Sequence, residues 1–141
     1  MNGLTMDNMN AVCIVDDSRV SRMMIRAVIE RHFPRWQIHE VANAAEAIEK
    51  LEALGKDCRF AILDYNMPGM TGMELARMIR ERRPDMKLAL LTANVQKTIE
   101  NQAKELGVLF VRKPVNEQRV VSIFEKWGFE DASMESTSEP G

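Results

Sequence analysis

Apolar residues recur along this chain in two alternating rhythms. Short β-branched or apolar runs cover residues 11–15, 36–41, 58–63, 87–91 and 108–111, and each reads as a strand. Between them, apolar residues fall three and four apart: Val20, Met23, Met24, Ala27 and Val28, then Ala44, Ala47, Ile48 and Leu51, then Leu75, Met78 and Ile79. That spacing predicts helices that bury one stripe. A fourth helix over 95–106 carries a thinner stripe of Val95, Ile99, Ala103 and Leu106, and a fifth over 116–127 carries Val120, Ile123, Phe124 and Trp127. Start and stop signals agree. Asn43-x-x-Glu46 and Thr71-x-x-Glu74 read as capping boxes, and Gly55, Gly107 and Gly128 stand where helices should end.

Strand and helix alternate five times, which forces parallel strands joined by right-handed crossovers. The expected fold is α/β, a (βα)5 five-stranded parallel sheet with helices on both faces. Ligands of such sheets sit beyond the carboxyl ends of the strands. Asp16 and Asp17 follow the first run, Asp64 ends the third, Thr92 ends the fourth, and Lys113-Pro114 follows the fifth. Every strand end but the second presents a polar group.

Composition narrows the classes. At 141 residues, 45% hydrophobic and 28% charged, the chain suits one domain. Its net charge of -2 argues against a whole-chain nucleic-acid binder, which would be strongly basic. The charge is uneven: residues 130–141 hold Glu130, Asp131, Glu135 and Glu139 and no base, leaving the preceding 129 residues mildly basic. We therefore expect a flexible N-terminus over 1–9, a folded domain over 10–128 and an acidic, disordered tail over 129–141. Cys13 and Cys58 lie in apolar runs and read as buried, inert thiols. The longest apolar run, 106–111, is far short of the roughly 18 residues that span a bilayer. With no basic-then-apolar leader in view, the expectation is a cytoplasmic protein without membrane contact.

Three carboxylates at one edge repel one another. At ~4 Å and an effective dielectric of ~20 each pair costs roughly 4 kcal/mol, so a cation should sit among Asp16, Asp17 and Asp64. Hard oxygen ligands on few residues favour Mg²⁺, whereas zinc would want His or Cys, and neither stands near. Lys113 adds a compact positive charge and Thr92 a hydroxyl. Together they make a phosphoryl-accepting centre, because phosphoryl transfer needs positioning and charge neutralisation above all.

These residues carry a family resemblance. Val15-Asp16-Asp17-Ser18, Leu63-Asp64-Tyr65-Asn66-Met67-Pro68-Gly69-Met70-Thr71-Gly72, Leu91-Thr92-Ala93 and Val111-Arg112-Lys113-Pro114 strongly resemble the receiver domain of two-component response regulators, over about residues 10–128. The single-domain chemotaxis type is the closest match in architecture. The resemblance implies a flavodoxin-like sheet of order 2-1-3-4-5, with Asp64 as phosphoacceptor for a phosphohistidine of a histidine kinase or phosphotransfer protein. It implies Mg²⁺ held by Asp17, Asp64 and the backbone carbonyl of Asn66, with Asp16 acting mainly through water. Lys113 would pair with the phosphoryl group and Thr92 would hydrogen-bond to it. Thr92 and Phe110 would form the switch that remodels the surface of helix 4, strand 5 and helix 5, and the Lys113-Pro114 bond would be cis. The implied partners are the kinase, a downstream target protein and an auxiliary phosphatase, with the chain a monomer or a dimer formed on phosphorylation. Apart from its own phosphorylation and dephosphorylation, no enzyme activity is expected.

Some features stay open at this level. Arg19, Arg22 and Arg26 share one side of the first helix and read either as a solvated side or as part of a kinase-docking surface. Arg77, Arg80, Arg82 and Arg83 read as solvated, and Met23, Met24 and Met78 as core filler. Two rivals remain. A binding module could keep the fold and work without phosphorylation. An Mg²⁺-dependent phosphatase with an Asp nucleophile would want a second Asp two residues on, where Asn66 stands.

Overall fold

The structure, a computed structural model, describes residues 10–132. Five strands, β1 (Ala11–Val15), β2 (Gln37–Val41), β3 (Phe60–Asp64), β4 (Lys87–Thr92) and β5 (Val108–Arg112), alternate with five helices. These are α1 (Arg19–His32), α2 (Ala44–Leu54), α3 (Gly72–Arg82), α4 (Lys97–Leu106) and α5 (Glu117–Lys126), with a single 3-10 turn after α2 (Gly55–Asp57). All strand pairs are parallel, in the order β2-β1-β3-β4-β5. The five expected strands and helices are all present, with ends shifted by one or two residues.

Central strands β1 and β3 are buried at every position, because helices cover both faces. Alternate residues feed two cores. Cys13, Val15, Ala61, Leu63, Leu88 and Leu90 pack toward α2, α3 and α4. Val12, Ile14, Ile62, Ala89 and Leu91 pack toward α1 and α5, against Ile25, Ile29, Val120, Ile123 and Phe124. Local signals set the helix ends. Thr71 and Glu74 form a full capping box at α3, while at α2 Asn43 caps Glu46 N–H and the Glu46 carboxylate accepts from Ala42 N–H. Gly107 closes α4 with φ of 70°, a left-handed conformation that glycine adopts without strain.

Burial overturns one expectation. Of the stripe expected to be core on α1, Val20, Met23 and Met24 are 68%, 58% and 45% exposed, and Ala27 is exposed with them. Ile25 and Ile29 face the sheet instead, with Val28 half-buried beside them. The helix carries two apolar stripes, and spacing alone does not say which one meets the sheet. Helix α4 also starts later than expected, at Lys97, so Val95 is exposed in the preceding loop.

The arginines of α3 do more than face solvent. Arg80 donates to the carbonyls of Leu106, Pro84, Met86 and Gly107. Arg83 ties Gly55 and Cys58 carbonyls to the α3 end. Both staple loops at the amino-terminal side of the sheet. Among the described residues no helix is long and apolar enough to cross a membrane.

The folded body also runs past residue 128. Phe129 joins a ring cluster with Trp36 and Phe60, its centroid 4.9 and 5.4 Å from theirs. These rings lie at the start of β3, the end of the sheet opposite Asp64. Asp131 is buried, and both its oxygens lie 2.9 Å from His32 Nδ1. On the other side of the ring, His32 Nε2 lies 2.5 Å from Glu117 Oε2, which also receives Arg31. Acid-rich composition assigned 129–131 to the tail, whereas an aromatic and an ion pair hold them to the body. Residues 133–141 of the expected tail and the expected N-terminal segment lie outside the described residues.

Burial alone would lower the His32 pKa, but hydrogen bonds and charge from Glu117 and Asp131 outweigh it and raise the value. A raised histidine stabilises the fold fully below its unfolded value of about 6.5, and that contribution is lost as pH climbs through the higher folded value. Thermal melts across that range should show the wild type losing stability as pH rises. His32→Gln should flatten the slope, and an equal slope in the variant would exclude His32 as its source.

Candidate functional site

Register brings the polar strand ends to one level. Val15 pairs with Leu63, Asp64 with Leu91 and Thr92 with Arg112, so Asp16, Asp64, Thr92 and Lys113 emerge within about one residue of a common edge. Backbone bonds stitch that edge. Tyr65 N–H donates to the Leu91 carbonyl at 2.9 Å, and Lys113 N–H to the Thr92 carbonyl at 2.9 Å. Asp16 N–H reaches the Val41 carbonyl at 3.2 Å.

Oxygens of Asp16, Asp17 and Asp64 lie within 4.8 Å of one another. Asp16 and Asp64 are buried, at 1% and 2% exposure, while Asp17 is exposed. Lys113 Nζ lies 2.5 Å from Asp64 Oδ1. Burial lifts the Asp64 pKa above the usual aspartate range; Lys113 pulls it down, and the charges of Asp16 and Asp17 push it further up. One lysine does not balance three acids. Asp16 Oδ1 accepts from Ser18 N–H at 2.9 Å, but its Oδ2 is buried with no hydrogen-bond partner. An orphaned carboxylate oxygen in an all-oxygen cluster fits a hard divalent cation.

The other expected residues lie on β4, β5 and the loops after β3, β4 and β5. Thr92 is buried, and its hydroxyl accepts from Asn94 N–H at 2.9 Å, so it is turned to its own loop. Asn66 lies exposed in the loop after β3, and Ala93 is exposed beside Thr92. Phe110 on β5 is half-buried against the core shared by α2, α3 and α4. The Lys113–Pro114 peptide bond is cis.

The chain matches the response regulator receiver domain family over residues 12–125. It belongs to that family. Among curated relatives, the receiver is 31% identical to chemotaxis protein CheY of Thermotoga maritima, covering 82% of this chain and 94% of that one. It is 37% identical to the cyclic di-GMP phosphodiesterase response regulator RpfG of Xanthomonas campestris over 74% of this chain, but spans only 28% of that protein. Among solved structures, a CheY-like receiver domain protein from Methanospirillum hungatei superposes with a TM-score of 0.75 at 23% identity, covering 85% of this chain and 94% of that one. Chemotaxis protein CheY4 of Vibrio cholerae does so with 0.73 at 24%, covering 84% and 98%. These last two speak for the fold, a five-stranded parallel sheet of order 2-1-3-4-5. The receiver is a phosphorylatable signalling module of two-component systems, and its acidic cluster is compatible with Mg²⁺.

Sequence reading missed how the loop between β3 and α3 is seated. A Cβ built on Gly72 would lie 2.2 Å from the Asp64 carbonyl oxygen and 2.9 Å from Leu90 Cδ1. Here the first turn of α3 runs against the backbone of Asp64, and Gly72 N–H donates to Tyr65 O at 2.9 Å. The motif contained this glycine, but spacing gave no sign of what it touched. The Cβ of Gly72→Ala must force the two main-chain segments apart. We expect a loss on the order of 1–3 kcal/mol or more in urea denaturation, and a variant as stable as the wild type would show that the two segments can part at no cost.

Proposed function

We propose that this receiver accepts a phosphoryl group on Asp64 from a phosphohistidine of a histidine kinase or phosphotransfer protein, in a reaction that depends on Mg²⁺. The observation that carries the reading is the buried Asp64 carboxylate, paired with Lys113 and crowded by Asp16 and Asp17, at the open edge of the sheet. An Asp64 oxygen attacks phosphorus, the P–N bond breaks, the electron pair leaves with the imidazole, and an acyl phosphate forms. Lys113 holds a phosphoryl oxygen. Mg²⁺, bound by Asp17, Asp64 and the Asn66 carbonyl with Asp16 acting mainly through water, would offset the charge that the carboxylates and phosphoryl oxygens bring together.

The output is a change on the surface of α4, β5 and α5 that controls a target protein. Moving such an equilibrium from 1:99 to 99:1 takes ~5.5 kcal/mol of differential interaction, whereas a hydrogen bond to a charged group contributes ~1.5–3 kcal/mol. Thr92 must also give up its bond with Asn94. Its turn toward the phosphoryl group therefore acts together with Lys113 and with the repacking of Phe110. A cytoplasmic setting goes with a kinase partner of this kind. An auxiliary phosphatase and a dimer formed on phosphorylation belong to the same reading.

The exposed stripe of Val20, Met23, Met24 and Ala27 begins three residues beyond Asp17 and suits an apolar helical surface on the kinase. It supports docking on α1 more than the arginines do, since Arg22 and Arg26 are both engaged by Glu40.

Incubation with Mg²⁺ and a small phosphodonor, followed by intact mass, should give a labile phosphoryl adduct on the wild type and none on Asp64→Asn or after chelation of the metal. An equal adduct in the mutant would overturn the reading, and no adduct on the wild type would favour a module that works without phosphorylation. Val20→Glu with Met24→Glu should slow transfer from a kinase about tenfold or more while leaving the small-donor rate unchanged. Equal slowing with both donors would move the docking surface elsewhere.

A further inference from the structure

Arg22 ties the acidic pair to the edge of the sheet. Its Nη1 donates to the Asp16 carbonyl at 2.6 Å, and its Nε to Glu40 Oε1 at 3.1 Å. The side chain is only 16% exposed. Glu40 is fixed in turn by Arg26, whose Nε donates to the second oxygen, Oε2, at 2.5 Å. Burial would raise the Glu40 pKa, but its hydrogen bonds from Arg26 and Arg22 and their charges hold it below the usual range. One carboxylate on β2 thus anchors two arginines of α1, and one of them continues to the loop after β1.

What Arg22 grips matters. β1 ends at Val15, and the Asp16 N–H bond to Val41 is the last rung between the loop and β2. Beyond it, the Asp16 carbonyl is held by a guanidinium rather than by a neighbouring strand. That carbonyl lies in one rigid plane with the N–H and Cα of Asp17, so its direction sets where the Asp17 side chain starts. The planar fork of an arginine reaches two acceptors at fixed angles, which a lysine does not.

We infer that Arg22 is a positioning residue for the divalent-cation site, holding the Asp16–Asp17 peptide so that both carboxylates face Asp64, with Glu40 holding Arg22. The inference rests on the Mg²⁺ reading above.

Charge and positioning predict opposite signs. Removing a cation beside three acids should tighten Mg²⁺ binding, whereas losing the grip on the loop should weaken it. Outer-shell partners of metal ligands typically contribute 10–100-fold in affinity. Mg²⁺ affinity of the unphosphorylated chain, read from backbone amide shifts of residues 16–18 in NMR titrations, should therefore fall about tenfold in Arg22→Gln. Arg22→Met, which retains the packing of the aliphatic stem, should fall likewise and covers a failure of the first variant to fold. Arg26→Gln breaks the other half of the Glu40 anchor but leaves the Asp16 contact, and should stay within about twofold of the wild type even where its melting temperature drops. Wild-type affinity or tighter in the folded Arg22 variants overturns the role of Arg22 alone, as does an equal loss in Arg26→Gln. A wild type that binds no Mg²⁺ overturns the metal reading and this inference with it.

Discussion

Three carboxylates held together against their own repulsion are the constraint around which this molecule is arranged. Two of them, Asp16 and Asp64, are almost fully withdrawn from water, where mutual repulsion is least screened. A scaffold that keeps them there must be rigid on all sides. The parallel sheet supplies that rigidity through register, since it lines up the ends of β1, β3 and β4 before any side chain is considered. The backbone rungs from Tyr65, Lys113 and Asp16 then lock each loop to its neighbour at the point where it leaves the sheet.

The walls of the site differ in kind. On the α3 side, Gly72 lets main chain touch main chain, so Asp64 is backed by atoms that have no rotamer to change. On the β2 side the contact is ionic and extended, running from Glu40 through Arg22 to the Asp16 carbonyl. On the β4 side it is a hydroxyl turned to its own loop. The first two walls are suited to holding a geometry, the third to changing it. The switch proposed above would use both, a fixed acceptor and a neighbour with an alternative bond.

How much of this could be read in advance depends on the range of the signal. The strands, the caps at Thr71 and Asn43 and the set of Asp16, Asp17, Asp64, Thr92 and Lys113 were legible, because each depends on a short window or on its place at a strand end. The core face of α1 was not. Val20, Met23, Met24 and Ala27 repeat at helical spacing as well as Ile25 and Ile29 do, and only the sheet decides between them. Arg80, Arg83 and Arg22 were illegible for another reason: they bond to backbone carbonyls, which every residue has and no sequence marks. Phe129 and Asp131 were hidden by averaging, since an acid-rich stretch reads as solvated although one of its acids meets a histidine 99 positions away. Glu40, a charge within a strand pattern, was the one visible hint of the anchor on β2.

The two cysteines carry a consequence of another sort. Cys13 and Cys58 have no exposed surface, and burial, with the neighbouring Cys58 thiol, pushes the Cys13 pKa up to about 12. Only the thiolate is a good nucleophile, so in the folded receiver neither sulfur is available to peroxide, to glutathione or to a maleimide. Oxidants therefore reach these two thiols only when the fold opens, whereas the exposed Met23 and Met24 stay open to them throughout. The two cysteine sulfurs, silent while the sheet is closed, become a chemical clock for how often it opens.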